Sequence, residues 1–476
     1  MNLLTRRSGI SFLLSSISAS QSTLFLRHST LTNAFLIKPV VFHAQNAHAS
    51  STHHYGKVTR SASTIKLSSG DDAETSDGFP TDYPNLDLLI RPSIGAIRKA
   101  CRIASYLQPE TSNSQVSGIT KTDTSPVTIG DFAAQAIVLK LLHEEFGKDQ
   151  DVFIAEESSK NLDDELSNEI LSVLERLGLD DIISTQKDLE ESIDLGQTYK
   201  NDGDLLDSIK DMIEERKSKS LTTRTWCLDP IDGTRGFLRG KYDGGQYCVA
   251  LALIENGVPV LGLLGCPNLP SNPLHENYEW EKNEQGEVDM ITEKDRGCIF
   301  VAHRGGGCFQ LPLYSPKGDD HDLSGAQRVQ TTQSGSLPLE QSRFCIGVEK
   351  YGDPEGKVSA IATKIHGKLD DDGDILFTRR MDSQVKYGVV ARGGSEFITR
   401  LPKKSYQEWI WDHAAGRIVI EEAGGKQTDT EGNLIDYGLG AKLDMNVNGI
   451  LISSGGMYHD VLLEAYQEQE QERSKE

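Results

Sequence analysis

The spacing of apolar residues predicts three helical segments in the first half of the chain. Residues 83–107 carry Leu, Ile, Cys and Ala at near-helical intervals, and residues 131–146 repeat that spacing on two adjoining sides until Gly147 ends the helix. Residues 161–222 are predicted to be a helical insertion, because a stripe of leucine and isoleucine is followed by a strongly charged stretch. The sequence assigns no role to this insertion.

Pairs of apolar runs predict strand hairpins further along. Two runs within residues 244–267 flank the turn residues Glu255-Asn256-Gly257, and residues 298–311 contain a second pair. Residues 316–340 are a polar loop rich in Gly and Ser, and strand and helix patterns alternate again from Phe344 to Tyr458. Antiparallel hairpins mixed with helices predict an α/β or α+β fold with layered sheets.

Composition divides the chain into four parts. We predict a disordered targeting segment over residues 1–75, an N-terminal α+β half over residues 80–275 that includes the insertion, a C-terminal α/β half over residues 276–463, and a disordered, solvated tail over residues 464–476. No internal repeat is visible.

The first 70 residues contain seven Lys and Arg residues, no Asp or Glu, and abundant Ser and Thr. This composition is typical of a transit peptide, so we expect a plastid or mitochondrial location. Arg6-Arg7 before the apolar patch Ile10–Ile17 leaves a secretory signal open, as well as a bipartite signal cleaved near Asn33–Phe35. An extension without an address, which would leave the protein in the cytoplasm, is the remaining alternative.

Length and charge exclude several classes of protein. The chain has 476 residues, enough for two ordinary domains, and a formal charge of −22, which argues against binding nucleic acid by counterion release. It contains no run of about 18 uncharged apolar residues that would span a membrane. We therefore expect no binding to nucleic acid or membrane, and we also expect a monomer. A phosphorylated ligand would have to be met by a few local cations or by metal.

The seven cysteines show no CxxC pair and no zinc-site spacing. Most of them lie in apolar, strand-like runs. Buried reduced thiols are therefore expected, which suits a stroma, matrix or cytosol better than secretion.

The segment WCLDPIDGT, residues 226–234, places two carboxylates on a rigid bend. Asp229 and Asp232 are three residues apart around Pro230, so their side chains can converge at a strand end. Mg²⁺ prefers a couple of carboxylates and keeps its waters for phosphate, and Gly233 would let a phosphate approach the backbone of the next helical turn. The competing interpretation is a surface Asp-Gly turn in which Asp232 caps a helix. The apolar residues that precede Asp229 argue against a surface turn.

Three further segments place carboxylates at the ends of elements. Glu156-Glu157 follow an apolar run and repel each other unless a cation is present, although a solvated pair fits equally well. Asp412 lies at a helix start, where it could cap the helix or face a buried metal, and His413 is interpreted as a satisfied histidine with no role. Thr128 and Asp131 form a start resembling a capping box, which is compatible with a catalytic role.

Two motifs are dismissed. Asp370–Asp374 resembles a calcium loop but lacks the bidentate Glu of an EF-hand, so we predict a solvated turn. Arg304–Gly307 lacks the Gly-Lys-Ser/Thr of a P-loop, so we predict a hairpin turn.

With these segments in order, the chain resembles the inositol monophosphatase superfamily of Mg²⁺-dependent, lithium-sensitive phosphatases, and within it the 3′(2′),5′-bisphosphate nucleotidases. The resemblance spans residues 85–460 and is carried by KTDTSPVTIGDFAAQA, IAEESS, WCLDPIDGTRGF, MDSQVKYGVVARG, ITRLPKKSYQEWIWDHAAG and EEAGG. It implies a layered αβαβα sandwich of the inositol monophosphatase and fructose-1,6-bisphosphatase type. One position departs from the family pattern, since Tyr351-Gly352-Asp353 stands where the family often has a His near the adenine.

The resemblance also implies roles for individual residues. The implied ligands of two or three Mg²⁺ ions are Glu156, Asp229, the carbonyl of Ile231, Asp232 and Asp412. Asp131 and Thr234 would orient and deprotonate the attacking water. The implied substrate contacts are Gly233, Thr234, Ser383, Lys386 and Arg400. Of these, Lys386 and Arg400 would serve the 5′-phosphate as cations.

The implied reaction is hydrolysis of the 3′-phosphate of adenosine 3′,5′-bisphosphate to AMP and phosphate, with the 5′-phosphosulfate analogue as a further substrate to consider. Two alternatives stay open. An inositol (poly)phosphate 1-phosphatase would use the same metal site, although MDSQVKY counts against it. A non-catalytic nucleotide sensor on the same fold is the other, against which the retained carboxylates and Thr234 count.

Overall fold

The computed structural model describes residues 86–110, 118–120, 126–147, 151–196, 224–272, 296–349, 356–403 and 406–475. The targeting segment predicted for residues 1–75 lies outside these ranges, as do residues 197–222 of the predicted insertion. Among the helices that are described, none combines the length and the apolar character needed to span a membrane.

The described ranges contain helices and strands in alternation. The helices are α1 (Leu86–Leu107), α2 (Ile129–Phe146), α3 (Asp164–Arg176), α4 (Gln186–Asp194), α5 (Thr234–Arg239), α6 (Lys357–His366), α7 (Val385–Ala391), α8 (Ala414–Glu422) and α9 (Met457–Arg473). The strands are β1 (Gly118–Thr120), β2 (Pro126–Thr128), β3 (Asp151–Ala155), β4 (Arg224–Asp232), β5 (Cys248–Glu255), β6 (Val258–Pro270), β7 (Arg296–His303), β8 (Gly307–Pro312), β9 (Gln327–Val329), β10 (Phe344–Ile346), β11 (Thr378–Arg380), β12 (Phe397–Arg400), β13 (Lys426–Asp429) and β14 (Ile450–Ser453).

The larger sheet has seven strands in the order β3-β4-β5-β6-β7-β8-β9. Strand β3 runs parallel to β4, and every later neighbour is antiparallel. Both faces of β5 are buried, because its side chains alternate between two cores. One core cluster contains Cys248, Ala250, Ala252 and Ile254, and the other contains Val249, Leu251 and Leu253. Asn256 and Gly257 turn the β5–β6 hairpin with φ values of 50° and 81°, so both predicted hairpins are confirmed.

Helices and sheets form five layers. Apolar side chains of α1 and α2 pack on one face of the large sheet, and those of α7 and α8 pack on its other face. The second sheet has the order β11-β10-β12-β14-β13. One face of this sheet packs in the same core cluster as α8, and α6 and α9 pack on its outer face. The predicted αβαβα sandwich is confirmed.

Helices α3 and α4 belong to the segment predicted as an insertion. Their apolar stripe packs against α1 and α2 in a separate core cluster that includes Ile170, Leu174, Leu189 and Ile193. The insertion therefore thickens the outer helical layer of the large sheet.

Two predicted boundaries are wrong. The division at residues 275 and 276 falls between β6 and β7, which pair directly, so the large sheet continues to Val329. The tail predicted to be disordered is instead the last part of α9, which stays helical to Arg473. Its glutamates are paired by lysines of α6: Lys364 Nζ lies 2.8 Å from a carboxylate oxygen of Glu472 and 3.4 Å from one of Glu468. Buried Ala465 and Gln469 add packing along the same helix.

Both dismissed motifs are turns. Asp370 is exposed, and its carboxylate accepts from the backbone N–H groups of Asp372 and Asp374, which closes a loop on itself. Gly305 and Gly307 turn from β7 into β8, and their N–H groups both donate to the carboxylate of Glu422 at 2.9 Å. All seven cysteines are free and buried, as expected.

Candidate active site

The end of β4 carries the two aspartates of the WCLDPIDGT segment. The β4–β5 register shifts between Asp229 and Asp232, where Pro230 has no N–H to donate to a ladder. Gly233 then adopts a left-handed φ of 89° and opens α5. A Cβ at Gly233 would lie 2.7 Å from the Cβ of Ser383, so glycine is required by the close approach of the Ser383 loop as well as by φ.

The third carboxylate arrives from the other side of the core. Asp412 is the last residue of a short 3₁₀ turn, Ile410–Asp412, which lies immediately before α8. Asp229, Asp232 and Asp412 each place an oxygen so that all three lie within 4.8 Å of one another. We call these three residues the aspartate cluster.

Positive charge among the described residues only partly balances the aspartate cluster: Lys386 opposes the rise in the pKa of Asp232, and Arg400 opposes that of Asp412. Asp229 is 2% exposed, and its Oδ1 is buried with no hydrogen-bond partner among the described residues. Burial, followed by the charges of Glu156, Asp232 and Asp412, raises the pKa of Asp229 well above its ordinary value. Burial and neighbouring carboxylates raise the pKa of Asp412 in the same way. An orphaned carboxylate oxygen among repelling carboxylates is the donor set that a hard divalent cation fits.

Glu156 lies beside this cluster. It directly follows β3, the parallel neighbour of β4, so strand pairing brings Glu156 toward the same sheet end as Asp229. Its charge contributes to the raised pKa of both Asp229 and Asp412. The structure thus brings four of the implied metal ligands together, and Ile231 lies buried between two of them in β4.

The residues implied in handling water lie at helix starts. Asp131 is 1% exposed and occupies the first turn of α2, a helix that packs against β4. Thr234 is the first residue of α5 and follows Gly233 directly. The side chain of Thr128 lies outside the described residues.

The implied substrate cations occupy different positions. Lys386, in α7, donates from Nζ to the carbonyl of Ser383 at 2.8 Å, and its charge opposes the rise in the pKa of Asp232. Ser383 itself has a φ of 67°. Arg400 ends β12 with half of its side chain exposed, and its Nε donates to Glu408 at 2.8 Å. Lys386 therefore lies beside the aspartate cluster, and Arg400, although half exposed, bonds Glu408 and opposes the rise in the pKa of Asp412.

Glu408 is a further buried carboxylate near the site, to which no role was assigned from the sequence. Glu408 is 1% exposed, with Oε1 bonded to Arg400 and Oε2 lying 3.2 Å from Nε2 of His413. Burial alone would raise the pKa of Glu408, but the bond from His413 and the charge of Arg400 outweigh it and lower the pKa to about 2. His413 Nδ1 lies 2.9 Å from the hydroxyl of Tyr387, so this histidine is satisfied on both nitrogens, as expected. We call Glu408, Arg400 and His413 the Glu408 network.

Two other residues near the site carry no sequence signal by themselves. Tyr406 packs under the Arg400 guanidinium at 5.9 Å, and burial together with the charges of Asp412 and Glu408 raises its pKa to about 12. Gln384 donates its backbone N–H to Oδ2 of Asp232 at 2.5 Å. Only the MDSQVKY motif as a whole indicates that its residues lie near the site.

Comparison with known proteins places the chain among phosphatases. Residues 85–471 match the model of the inositol monophosphatase family. A 3′(2′),5′-bisphosphate nucleotidase of Schizosaccharomyces pombe is 36% identical over 76% of this chain and 92% of its own length. A Dictyostelium discoideum protein of the same name is 33% identical over 80% and 97%, and a probable 3′(2′),5′-bisphosphate nucleotidase 4 of Arabidopsis thaliana is 31% identical over 76% and 90%.

Among solved structures, a Thermotoga maritima IMPase is 17% identical and covers 80% of this chain and 97% of its own, with a TM-score of 0.45. The family match spans both sheets and every segment of the candidate site. This chain belongs to the inositol monophosphatase family.

Proposed function

We propose that this protein is a Mg²⁺-dependent 3′(2′),5′-bisphosphate nucleotidase that hydrolyses the 3′-phosphate of adenosine 3′,5′-bisphosphate to AMP and phosphate. Relatives at 31–36% identity over about three quarters of the chain carry this name. The observation that carries the proposal is the aspartate cluster, whose three carboxylates converge and leave Oδ1 of Asp229 without a hydrogen-bond partner among the described residues.

The donor set favours a hard cation. Asp229, Asp232, Asp412 and Glu156 would hold Mg²⁺, because all offer carboxylate oxygens and none offers sulfur or imidazole. Magnesium, when bound, supplies positive charge against the phosphoryl oxygens and the leaving 3′-oxygen. The strongly acidic chain can therefore accept a polyanionic substrate at this one place.

The remaining roles fall to residues of the chain. Asp131 and Thr234, each at a helix start, orient the attacking water and accept its proton. Ser383 and the backbone at Gly233 border the phosphate. Arg400, with half of its side chain exposed, attracts the 5′-phosphate, and Lys386 adds a second positive charge near Asp232.

A substrate panel tests this proposal. Phosphate release is measured for adenosine 3′,5′-bisphosphate, its 5′-phosphosulfate analogue, 3′-AMP and an inositol bisphosphate, in Mg²⁺ and in EDTA. We expect the adenosine bisphosphate to be preferred, activity to require Mg²⁺, and lithium to inhibit, the last by resemblance to the superfamily. A preference for the inositol bisphosphate would favour the sister phosphatase, and no release from any substrate would favour a nucleotide sensor.

We also propose that residues 1–75 direct the protein to a plastid or mitochondrion, on the strength of their acid-free, basic composition. A fluorescent fusion of this segment should be imported into one of these organelles. Diffuse cytosolic fluorescence would refute the proposal, and secretion would favour the signal-peptide alternative.

A further inference from the structure

Two buried glutamine side chains hold the backbone on either side of the aspartate cluster. The side chain of Gln384 spans the turn that carries Asp412: its Nε2 donates to the carbonyl of Trp411 at 2.8 Å, and its Oε1 accepts from the N–H of Gly416 at 3.0 Å. Its own backbone N–H donates to Asp232. One residue that is 1% exposed therefore links the two carboxylates, of which Asp232 ends β4 and Asp412 ends the 3₁₀ turn before α8.

The backbone before Gln384 is strained in a way that serves this contact. Ser383 adopts a φ of 67°, a left-handed conformation that is unfavourable for a non-glycine residue. The Ser383 loop packs closely against the end of β4, because a Cβ at Gly233 would lie only 2.7 Å from the Cβ of Ser383. This arrangement aims the N–H of Gln384 at the carboxylate of Asp232.

Gln135 makes the matching contact on the other side. It is fully buried in α2, and its Nε2 donates to the carbonyl of Glu157 at 2.8 Å while its Oε1 accepts from the N–H of Glu157 at 2.8 Å. Its Nε2 also reaches the carbonyl of Ile193. Glu157 follows Glu156, and Gln135 lies one helical turn after Asp131. The amide therefore fixes the Glu156 loop to the helix that carries Asp131.

A neutral amide suits this position for an electrostatic reason. The carboxylates repel one another, so the protein must hold them together before a cation arrives. A Lys or Arg in place of either glutamine would neutralise the cluster and compete with a metal ion. An amide binds a backbone N–H and a backbone C=O at once and adds no charge.

We propose that Gln384 and Gln135 are positioning residues that preset the carboxylates for metal binding. The inference rests on the proposed function, because it takes these carboxylates as metal ligands. The competing explanation is that both amides only satisfy buried backbone groups. That explanation predicts a loss of stability without a selective loss of metal affinity.

The test measures Mn²⁺ affinity by electron paramagnetic resonance, together with unfolding midpoints in EDTA, for the full chain. Gln384→Met keeps the side-chain length and removes the amide. The matched control is Gln310→Met: Gln310 is buried in β8, four strands from β4, and its amide bonds the carbonyl of Ser271 at 2.6 Å and the guanidinium of Arg392 at 2.9 Å.

Both variants should lose stability, but only Gln384→Met should weaken Mn²⁺ binding, by about tenfold or more, the range for losing a residue that orients metal ligands. Gln135→Met should act in the same direction. If Gln384→Met does not fold, Gln384→Asn replaces it, because an amide shortened by one methylene cannot reach both Trp411 and Gly416.

Mn²⁺ affinity in the Gln384 and Gln135 variants equal to that of wild type would overturn this inference alone. An equal loss in Gln310→Met would also overturn it, since the effect would then follow general stability. Failure of the wild type itself to bind Mn²⁺ would overturn the proposed function first and the inference with it.

Discussion

The aspartate cluster and the Glu408 network are neighbours, since Glu408 precedes Asp412 by about one helical turn, and their carboxylates have opposite electrostatic character. In the aspartate cluster, burial and mutual repulsion raise the pKa of Asp229 and Asp412. In the Glu408 network, the bonds from His413 and Arg400 lower the pKa of Glu408 to about 2. Ligand atoms of Glu408, His413 and Asp412 lie within 4.8 Å of one another, as do those of the aspartate cluster, so proximity alone does not distinguish the surroundings of Glu408 from a metal site.

The two sites differ in the source of the positive charge that balances their carboxylates. A buried carboxylate is stable only when it is paired and hydrogen-bonded, and the Glu408 network achieves this with its own residues. In the aspartate cluster, Lys386 offsets part of the charge of Asp232, but Asp229 Oδ1 has no partner among the described residues, so we expect a cation from outside the chain to bind it. An acidic cluster therefore indicates a metal site where the groups of the chain leave a buried carboxylate oxygen unpaired.

The largest expected effect separates the two groups by activity. Asp229→Asn should reduce turnover in Mg²⁺ by about a thousandfold or more, because a metal site contributes several kcal/mol to the transition state and each 1.36 kcal/mol is about tenfold. Glu408→Gln should retain far more activity, since Glu408 is occupied by Arg400 and His413. Steady-state kinetics on adenosine 3′,5′-bisphosphate measures both. Near wild-type turnover in Asp229→Asn would break the comparison.

A buried ionisable side chain can also remain uncharged, and His459 is an example. Its ring nitrogens lie 3.0 Å from the hydroxyls of Thr428 and Ser453, and burial, aided by the charge of Lys426, lowers its pKa to about 4. The unfolded chain binds the proton near pH 6.5, so stability is present above that pH and is lost as pH falls toward 4, by about 3 kcal/mol at most.

Denaturant unfolding at pH 7 and pH 4.5 checks this prediction. His459→Gln should lose less stability on acidification than the wild type does. The same loss in both proteins would show that the carboxylates alone govern the acid response.

The comparison also predicts opposite stability changes in metal-free protein at pH 7. Glu408→Gln should destabilise by about 1.5–3 kcal/mol, because it removes a charged hydrogen-bond acceptor from two donors. Asp229→Asn should raise stability, because it removes one of several repelling buried charges. Urea unfolding in EDTA measures both changes. Destabilisation of the two variants by similar amounts would mean that the aspartate cluster is compensated after all.

The smallest expected effect concerns substrate choice. Arg400→Ala should lower kcat/KM for adenosine 3′,5′-bisphosphate by about tenfold and affect 3′-AMP much less, because the half-exposed guanidinium is open to a 5′-phosphate that 3′-AMP lacks. Lys386→Ala should affect both substrates, since the charge of Lys386 acts on Asp232. Equal losses on both substrates for Arg400→Ala would remove the physical basis for bisphosphate specificity.

The sequence predicted those features that depend on neighbours along the chain. The β5–β6 hairpin followed from two apolar runs and Asn256-Gly257, and the aspartates were found because they lie at the ends of elements. Gln384 could not be assigned, since its side-chain partner Trp411 is 27 residues away and no periodicity links them. The C-terminal helix was missed for the same reason: its glutamates are paired by Lys364, 108 residues before Glu472.

The central claim is that the aspartate cluster requires an external cation, and thermal unfolding with increasing Mg²⁺ tests it most directly. Mg²⁺ should stabilise the wild type and Glu408→Gln, by about 2.7 kcal/mol when its concentration is 100 times the Kd, and EDTA should reverse the effect. Asp229→Asn should show almost no shift. An Asp229→Asn variant stabilised by Mg²⁺ as much as the wild type would contradict the account.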